Sequence, residues 1–475
     1  MTDTPAVPQK KAKKSRERDL TEGSIVEHYK ALAIPASIGM LFSTLYNVVD
    51  NFFAGLISTT AQAGLSLSFP VFLIIIAFSI GGSQALNGLV GNARGRKNAE
   101  EARRVAAQGL GFIFLLSVAV GIFGIFTIPT LLGFIGGQGE YLEAATSYLT
   151  IVFFATPTFL LAFAANGILS SQGDNVSHKQ SGMVSFFVNC ALNPALIYGF
   201  AGLPALGFTG IAVSTALIQF GSACFMLYRA GTSSVLRGVQ WKEFIPTGKT
   251  VREVCAQGLP PALNFMTIAV GFFIWQYYLQ PLGEETVAAY GIALRVEQLI
   301  LLPSIGLTMA MLPILAQNFG AERIDRLRYA FWWGLSVGLG YMVVAGTLLL
   351  VGRSLIISFF TADEAVIAVG SSYLIYAALA QPVYMGLSAI LTLMQGIKRP
   401  ALSIVIGLFR QILAALAFTT LFVTILDWGA EGVWISVLMA CTSGLILAIF
   451  IVRSLVRKTI DHLGSPYKVL KQMPS

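Results

Sequence analysis

Long apolar stretches separated by short polar breaks run through the whole chain, and about twelve of them reach the roughly 20 residues an α-helix needs to cross a bilayer. They begin near residues 33, 64, 105, 144, 180, 206, 256, 286, 329, 367, 400 and 431. The breaks alternate in charge. Lys10, Lys11, Lys13, Lys14, Arg16 and Arg18 precede the first span, Arg94, Arg96, Lys97, Arg103 and Arg104 follow the second, and Lys179 follows the fourth. Further basic groups occupy the central loop (Arg229, Arg237, Lys242, Lys249, Arg252), the breaks after spans eight and ten, and the end of the last span. The other breaks carry Glu140, Glu143, Glu284, Glu285, Asp363, Glu364, Asp427 and Glu431, with Arg353 as the lone base. Basic residues near span ends stay on the cytoplasmic side, so both termini are expected there.

The second half of the chain repeats the first. At a shift of 225 residues Pro35 falls on Pro260, Ile80-Gly81 on Ile305-Gly306, Gly95 on Gly320, Tyr148-Leu149 on Tyr373-Leu374 and Pro157 on Pro382. A constant offset over several spans indicates an internal duplication. The expected fold is therefore an all-α integral membrane protein, twelve transmembrane helices in two pseudo-symmetric six-helix bundles. Its parts are a basic tail (1–29), an amino lobe (30–230), a linker (231–254), a carboxyl lobe (255–457) and a second tail (458–475). Two such lobes with a site between them suit alternating-access transport.

Composition narrows the chemistry. Of 475 residues 55% are hydrophobic and 11% charged, unlike a soluble domain. The net charge of +8 is spread over loops and tails rather than gathered on one face, so no nucleic-acid partner is expected. Cys190, Cys224, Cys255 and Cys441 lie in or beside apolar spans, which argues against a disulfide framework. The first apolar run is too long for a secretory signal and reads as an uncleaved span. The sequence offers no metal-spaced His/Cys set and no phosphate-binding loop, and His28, His178 and His462 are expected in tails or loops. An enzyme is not expected, nor a cofactor.

Within the spans, ionisable residues are functional candidates because a charge in lipid is costly. Asp50 lies deep in span one, where the copy has Trp275. Helical spacing places Tyr46 and Asn47 on its face, and Asn189 and Asn193 share a face of span five. These amides could donate to Asp50 or offer carbonyl oxygens to a cation; helix-to-helix adhesion is the alternative. Glu297 is the second deep acid. Arg295 lies two positions away and Arg410 in span eleven of the same lobe, so a buried Glu297–Arg410 pair is expected, with a second coupling site as the alternative. Pro35 removes a helical hydrogen bond and invites a hinge in span one, unless it and Pro260 sit in the first turns of their helices. Asn166, Tyr46, Asn47, Trp275, Tyr278 and Tyr384 are expected to line a substrate cleft, with Phe154, Phe159 and Tyr277 as further aromatic candidates.

The segments Leu45-Tyr46-Asn47-Val48-Val49-Asp50 with Gly55, Gly91 to Arg104, Arg295-Val296-Glu297-Gln298 and Gln317-Asn318-Phe319-Gly320-Ala321 resemble the multidrug and toxic compound extrusion (MATE) transporters, from about Tyr29 to Arg457. The resemblance implies export of cationic amphiphilic compounds in exchange for protons or sodium ions, by a monomer in a bacterial cytoplasmic (inner) membrane. It implies that Asp50 is the coupling carboxylate, with Asn189 and Thr215 near it and Pro35 at a bend. Some sodium-binding relatives carry an aspartate where this chain has Asn193, so a proton is the expected ion and Na+ at Asp50 the alternative. The rival readings are a lipid or lipid-linked-sugar flippase of the same superfamily, for which Arg295 and Arg410 would hold phosphate, a major-facilitator antiporter and a channel.

Overall fold

The structure, a computed structural model, describes residues 17–134, 139–200 and 204–461. They fold into helices without strands among the described residues: α1 (Ile25–Ile57), α2 (Thr59–Gly95), α3 (Ala99–Phe134), α4 (Gly139–Phe154), α5 (Thr156–Ser171), α6 (Val176–Tyr198), α7 (Phe208–Gly231), α8 (Gly248–Leu279), α9 (Glu284–Gly320), α10 (Ile324–Ser358), α11 (Glu364–Gly396), α12 (Leu402–Ile425) and α13 (Gly429–Asp461). Eleven are long and apolar enough to cross a bilayer, and the pair α4–α5 makes a twelfth span bent by 50°. Large apolar side chains stay exposed on outward faces, Phe126 at 79% and Val351 at 84%. Helices apolar on every side are what a lipid surround selects.

Several local features depart from the sequence pattern. Span four, expected as one helix, breaks at Ala155 because Pro157 sits in the first turn of α5, where its missing N–H costs nothing. Its copy Pro382 lies inside the unbroken α11. Pro35 comes ten residues after the start of α1, and Pro260 is likewise interior to α8, so neither occupies a first turn. The α12 span contains two π-helical stretches, Phe409–Ala414 and Thr420–Ile425. The segment expected as a linker holds a short 3-10 turn, Trp241–Phe244, and the first residues of α8. That turn is clamped to α3 by the Arg103–Glu243 ion pair at 2.5 Å.

The tail expected to run to residue 29 ends earlier, since α1 starts at Ile25 and residues 17–24 are docked. The Leu20 backbone N–H donates to Gln317 Oε1 (2.9 Å), its carbonyl accepts from Asn318 Nδ2 (3.0 Å), and the Arg18 N–H donates to the Gln172 carbonyl (2.8 Å). The first turns of α1 pack in the carboxyl-lobe core: Ile25, Tyr29 and Leu32 cluster with Leu307, Met311 and Phe331. The Tyr29 ring lies 4.7 Å from that of Trp333, and its hydroxyl donates to the Ala330 carbonyl. Further along, Ala54 belongs to the amino-lobe core, so α1 crosses from one lobe to the other past Pro35. In return, Val254 of α8 packs in the amino-lobe core.

The lobes close on each other at the end that carries the basic loops. Asn92 Nδ2 donates to the Gly396 carbonyl (3.0 Å) and Gln317 Nε2 to the Ser171 carbonyl (2.7 Å). Deeper in, α2 and α8 touch backbone to backbone at Gly81 and Gly258, and a side chain at Gly95 would collide with the Gln317 carbonyl. Gly95→Leu should therefore disfavour closure by about 1–3 kcal/mol, enough to move a two-state equilibrium roughly five-fold or more. Spin labels at the exposed Lys97 and Glu322 should then report longer separations than in the parent; an unchanged distance distribution would show that this crossing does not hold the lobes.

Candidate functional site

Asp50 is 4% exposed, on the stretch of α1 that faces α6 and α7 of its own lobe. A carboxylate there needs donors, and the neighbouring helices provide them. Asn189 and Asn193, one turn apart on α6, both direct Nδ2 at Asp50 Oδ1, at 2.9 and 2.8 Å. Asn193 Nδ2 also donates to Asn189 Oδ1 at 2.9 Å, which locks the two amides in one plane of contacts. On the other oxygen, Thr215 Oγ1 of α7 stands 3.4 Å from Asp50 Oδ2, and the Tyr46 hydroxyl donates to Thr215 Oγ1 at 3.0 Å. No Lys or Arg among the described residues pairs with Asp50.

The two oxygens therefore differ. Oδ1 is saturated by amide donors, whereas Oδ2 has one long contact to a hydroxyl that can accept as well as donate. A proton placed on Oδ2 would reverse that contact and leave the amide side intact. Asn193 Oδ1 is buried without a partner, and so is Asn166 Oδ1. These are neutral oxygens of the kind a hard cation uses.

Asp50 lines a chamber of about 150 Å³ contained within the amino lobe, together with Tyr46, Asn47, Tyr148, Asn166 and Thr215. Phe159 forms part of its wall. The other aromatic candidates lie elsewhere. Trp275 is buried beside Phe272 in the carboxyl-lobe core, Tyr278 hydrogen-bonds Thr420 (2.9 Å), and Tyr384 lies under the Arg410 guanidinium at 5.9 Å from its centroid. None of these three meets the chamber, because all belong to the opposite lobe. Phe154 and Tyr277 are 81% and 72% exposed and point away from both cores.

The expected Glu297–Arg410 pair does not form. Glu297 Oε2 instead accepts from the Tyr373 hydroxyl at 2.6 Å, inside a cluster where Tyr373 packs against Tyr290 and Trp434. Arg410, 6% exposed, directs Nη1 toward Cys441 Sγ at 3.7 Å, and Arg295 is exposed on the other side of α9. A tyrosine hydroxyl one helix away satisfies the acid without the entropy of placing a long arginine.

Two sets of residues escaped the sequence reading. Tyr148 lines the chamber of Asp50 and Tyr373 binds Glu297, so each lobe sets the same repeated tyrosine near its acid. The repeat pairing of Tyr148-Leu149 with Tyr373-Leu374 was the available signal. His28 and His178, expected in tails or loops, are helical: His28 is buried in α1 beside the Glu22 carbonyl, and His178 lies in the first turn of α6 and lines the chamber. His462 lies outside the described residues.

The family model MatE matches residues 35–198 and again 260–421, one match per lobe. The "Probable multidrug resistance protein YoeA" of Bacillus subtilis (strain 168) is 27% identical over 369 residues, covering 76% of this chain and 77% of its own. An FAD transporter of Shewanella oneidensis is 26% identical over 404 residues, 82% of this chain and 86% of its own. The solved outward-facing conformation of a multidrug resistance MATE family transporter superposes with a TM-score of 0.85 at 22% identity, covering 93% of this chain and 98% of the other. With both lobes matched by the family model and the twelve-span, two-lobe architecture in place, the chain belongs to the MATE family of membrane transporters.

Proposed function

We propose that this transporter exports cationic amphiphilic compounds across a bacterial cytoplasmic membrane in exchange for protons, with Asp50 as the coupling carboxylate. The observation that carries the reading is the environment of Asp50: buried, held by two amides and a hydroxyl, and paired with no cation among the described residues. Such a group gains or loses a charge at low structural cost, because its amide partners can stay in place while Oδ2 changes state. Closure at the basic end, read as cytoplasmic from the distribution of Lys and Arg, makes this a state closed to the cytoplasm. A proton taken up from outside neutralises Asp50, drug leaves, and the lobes rock to the opposite opening, where the proton is released. Each charge moved is worth about 2.3 kcal/mol per 100 mV of membrane potential.

Sodium is the second reading, favoured by the unpartnered Asn193 Oδ1 next to the carboxylate. Asn193 contributes no charge to such a site, which leaves a single carboxylate to balance the ion. The flippase reading is weakened by the place of Arg410, which lies beneath Tyr384 and Cys441 inside one lobe rather than between the two.

Ethidium efflux from energised vesicles tests the reading. Efflux should follow an imposed pH gradient and fall at least ten-fold in Asp50→Asn; efflux driven only by a sodium gradient would replace the proton with sodium. The Asp50 network predicts a stability coupling as well. Hydrogen bonds to a charged group are each worth about 1.5–3 kcal/mol, so Asn189→Ala should lower the thermal midpoint of the purified protein. The corresponding loss of stability should be about 1 kcal/mol smaller when Asp50 is already Asn, and additive effects in the four-protein cycle would deny the coupling.

A further inference from the structure

The chamber has a second end. On α6, His178, Ser181, Gly182, Ser185, Asn189 and Asn193 recur at helical spacing and form one stripe, all but the two asparagines being chamber-lining residues. Facing it, α7 presents Thr215, Gln219 and Ser222, and α1 presents Ser43, Tyr46, Asn47 and Asp50. Three polar stripes thus enclose a column running from Asp50 to His178, which at 1.5 Å per residue lies roughly 16 Å beyond Asn189 toward the basic end. The remaining wall is apolar, with Phe72, Ile76, Phe159 and Phe163, and the volume of about 150 Å³ has room for several waters held along the polar stripes. One turn from His178, the Ser181 and Ser222 hydroxyls are 2.7 Å apart and can join a hydrogen-bonded file.

The column ends on a group that can accept a proton. His178 Nε2 is buried and has no hydrogen-bond partner. Its ring packs against Gly39 of α1, where an added Cβ would crowd it. No carboxylate other than Asp50 lines the column; Tyr46 and Tyr148 are its remaining titratable groups. Around the start of α6 stand Lys179, next in sequence, and the Asp174–Arg229 ion pair at 3.1 Å, already satisfied by Ser177. With Nε2 sealed against α1, Nδ1 is the nitrogen left open to the column, and a two-nitrogen ring in that place suits a relay better than a packing role, for which an apolar ring would do.

We infer that His178 is the inner proton relay of the amino lobe, receiving the coupling proton from Asp50 and handing it to water at the basic end. This deepens the proton-antiport reading and rests on it. The transfer is balanced: with the ring proton on Nε2, which is sealed against α1, Nδ1 takes a proton from the nearest water of the file, that water is reprotonated along the file, and Asp50 Oδ2 gives up its proton and becomes a carboxylate. The imidazolium then returns its proton to bulk water once the basic end opens.

Stopped-flow release of protons into weakly buffered solution with a pH dye, on adding ethidium to the purified full-length protein, separates the possibilities. The parent should release protons, Asp50→Asn none, and His178→Gln the same amount at least ten-fold more slowly while binding ethidium within three-fold of the parent. Added imidazole should accelerate release by His178→Ala. No release by the parent would remove the proton-antiport reading and the relay with it. Release by His178→Gln at the parental rate, or loss of its ethidium binding, would overturn the relay alone.

Discussion

Everything in the amino lobe answers to one constraint, the presence of a carboxylate inside an apolar bundle. Water cannot solvate Asp50 from most directions, so the solvating groups are covalently built in as Asn189, Asn193 and Thr215. Placing them requires α6 and α7 to pack against the same stretch of α1, and that packing is what encloses the chamber. In the carboxyl lobe the corresponding need is met differently. Glu297 is held by the Tyr373 hydroxyl alone, on Oε2, beside an aromatic cluster.

The seam between lobes works by the opposite logic. Apart from the exchanged first turns of α1 and α8, its contacts include backbone-to-backbone approaches at glycine and amide side chains that donate to carbonyls. Close glycine contacts and neutral hydrogen bonds of about 1 kcal/mol each make a joint that is specific yet separable. An interlocked apolar seam inside a membrane would gain little from lipid exclusion and would be harder to part.

Much of this was legible in the sequence because span length and the one-sided bases are set by the bilayer and read directly from residue type. The duplication follows from a constant offset, and the shared face of Asn189 and Asn193 from spacing along one helix; that this face meets Asp50 was one of the possibilities the sequence left open. What escaped depends on which helices are neighbours. Pro157 and Pro382 are equivalent in the repeat, yet only the first falls at a helix start and breaks its span. Glu297 and Arg410 look like natural partners by charge, while the tyrosine that holds the acid is signalled only by its repeat partner Tyr148. His178 is hard to place from sequence because α6 opens with polar residues and is among the least apolar of the spans.

The crossing of α1 between lobes bears on how the duplicated chain came to be one protein. The leading turns of the first helix in the amino copy, with Tyr29 and Leu32, complete the core of the carboxyl copy, and Val254 from the first helix of the carboxyl copy sits in the core of the amino copy. This is a reciprocal exchange of the same element, the arrangement of a domain-swapped dimer joined into a single chain. Neither half is then a self-sufficient module, and the interface between them is as old as the repeat. The helix that carries the coupling acid is also the one that is shared, so a change of charge at Asp50 acts on an element with one end anchored in each half.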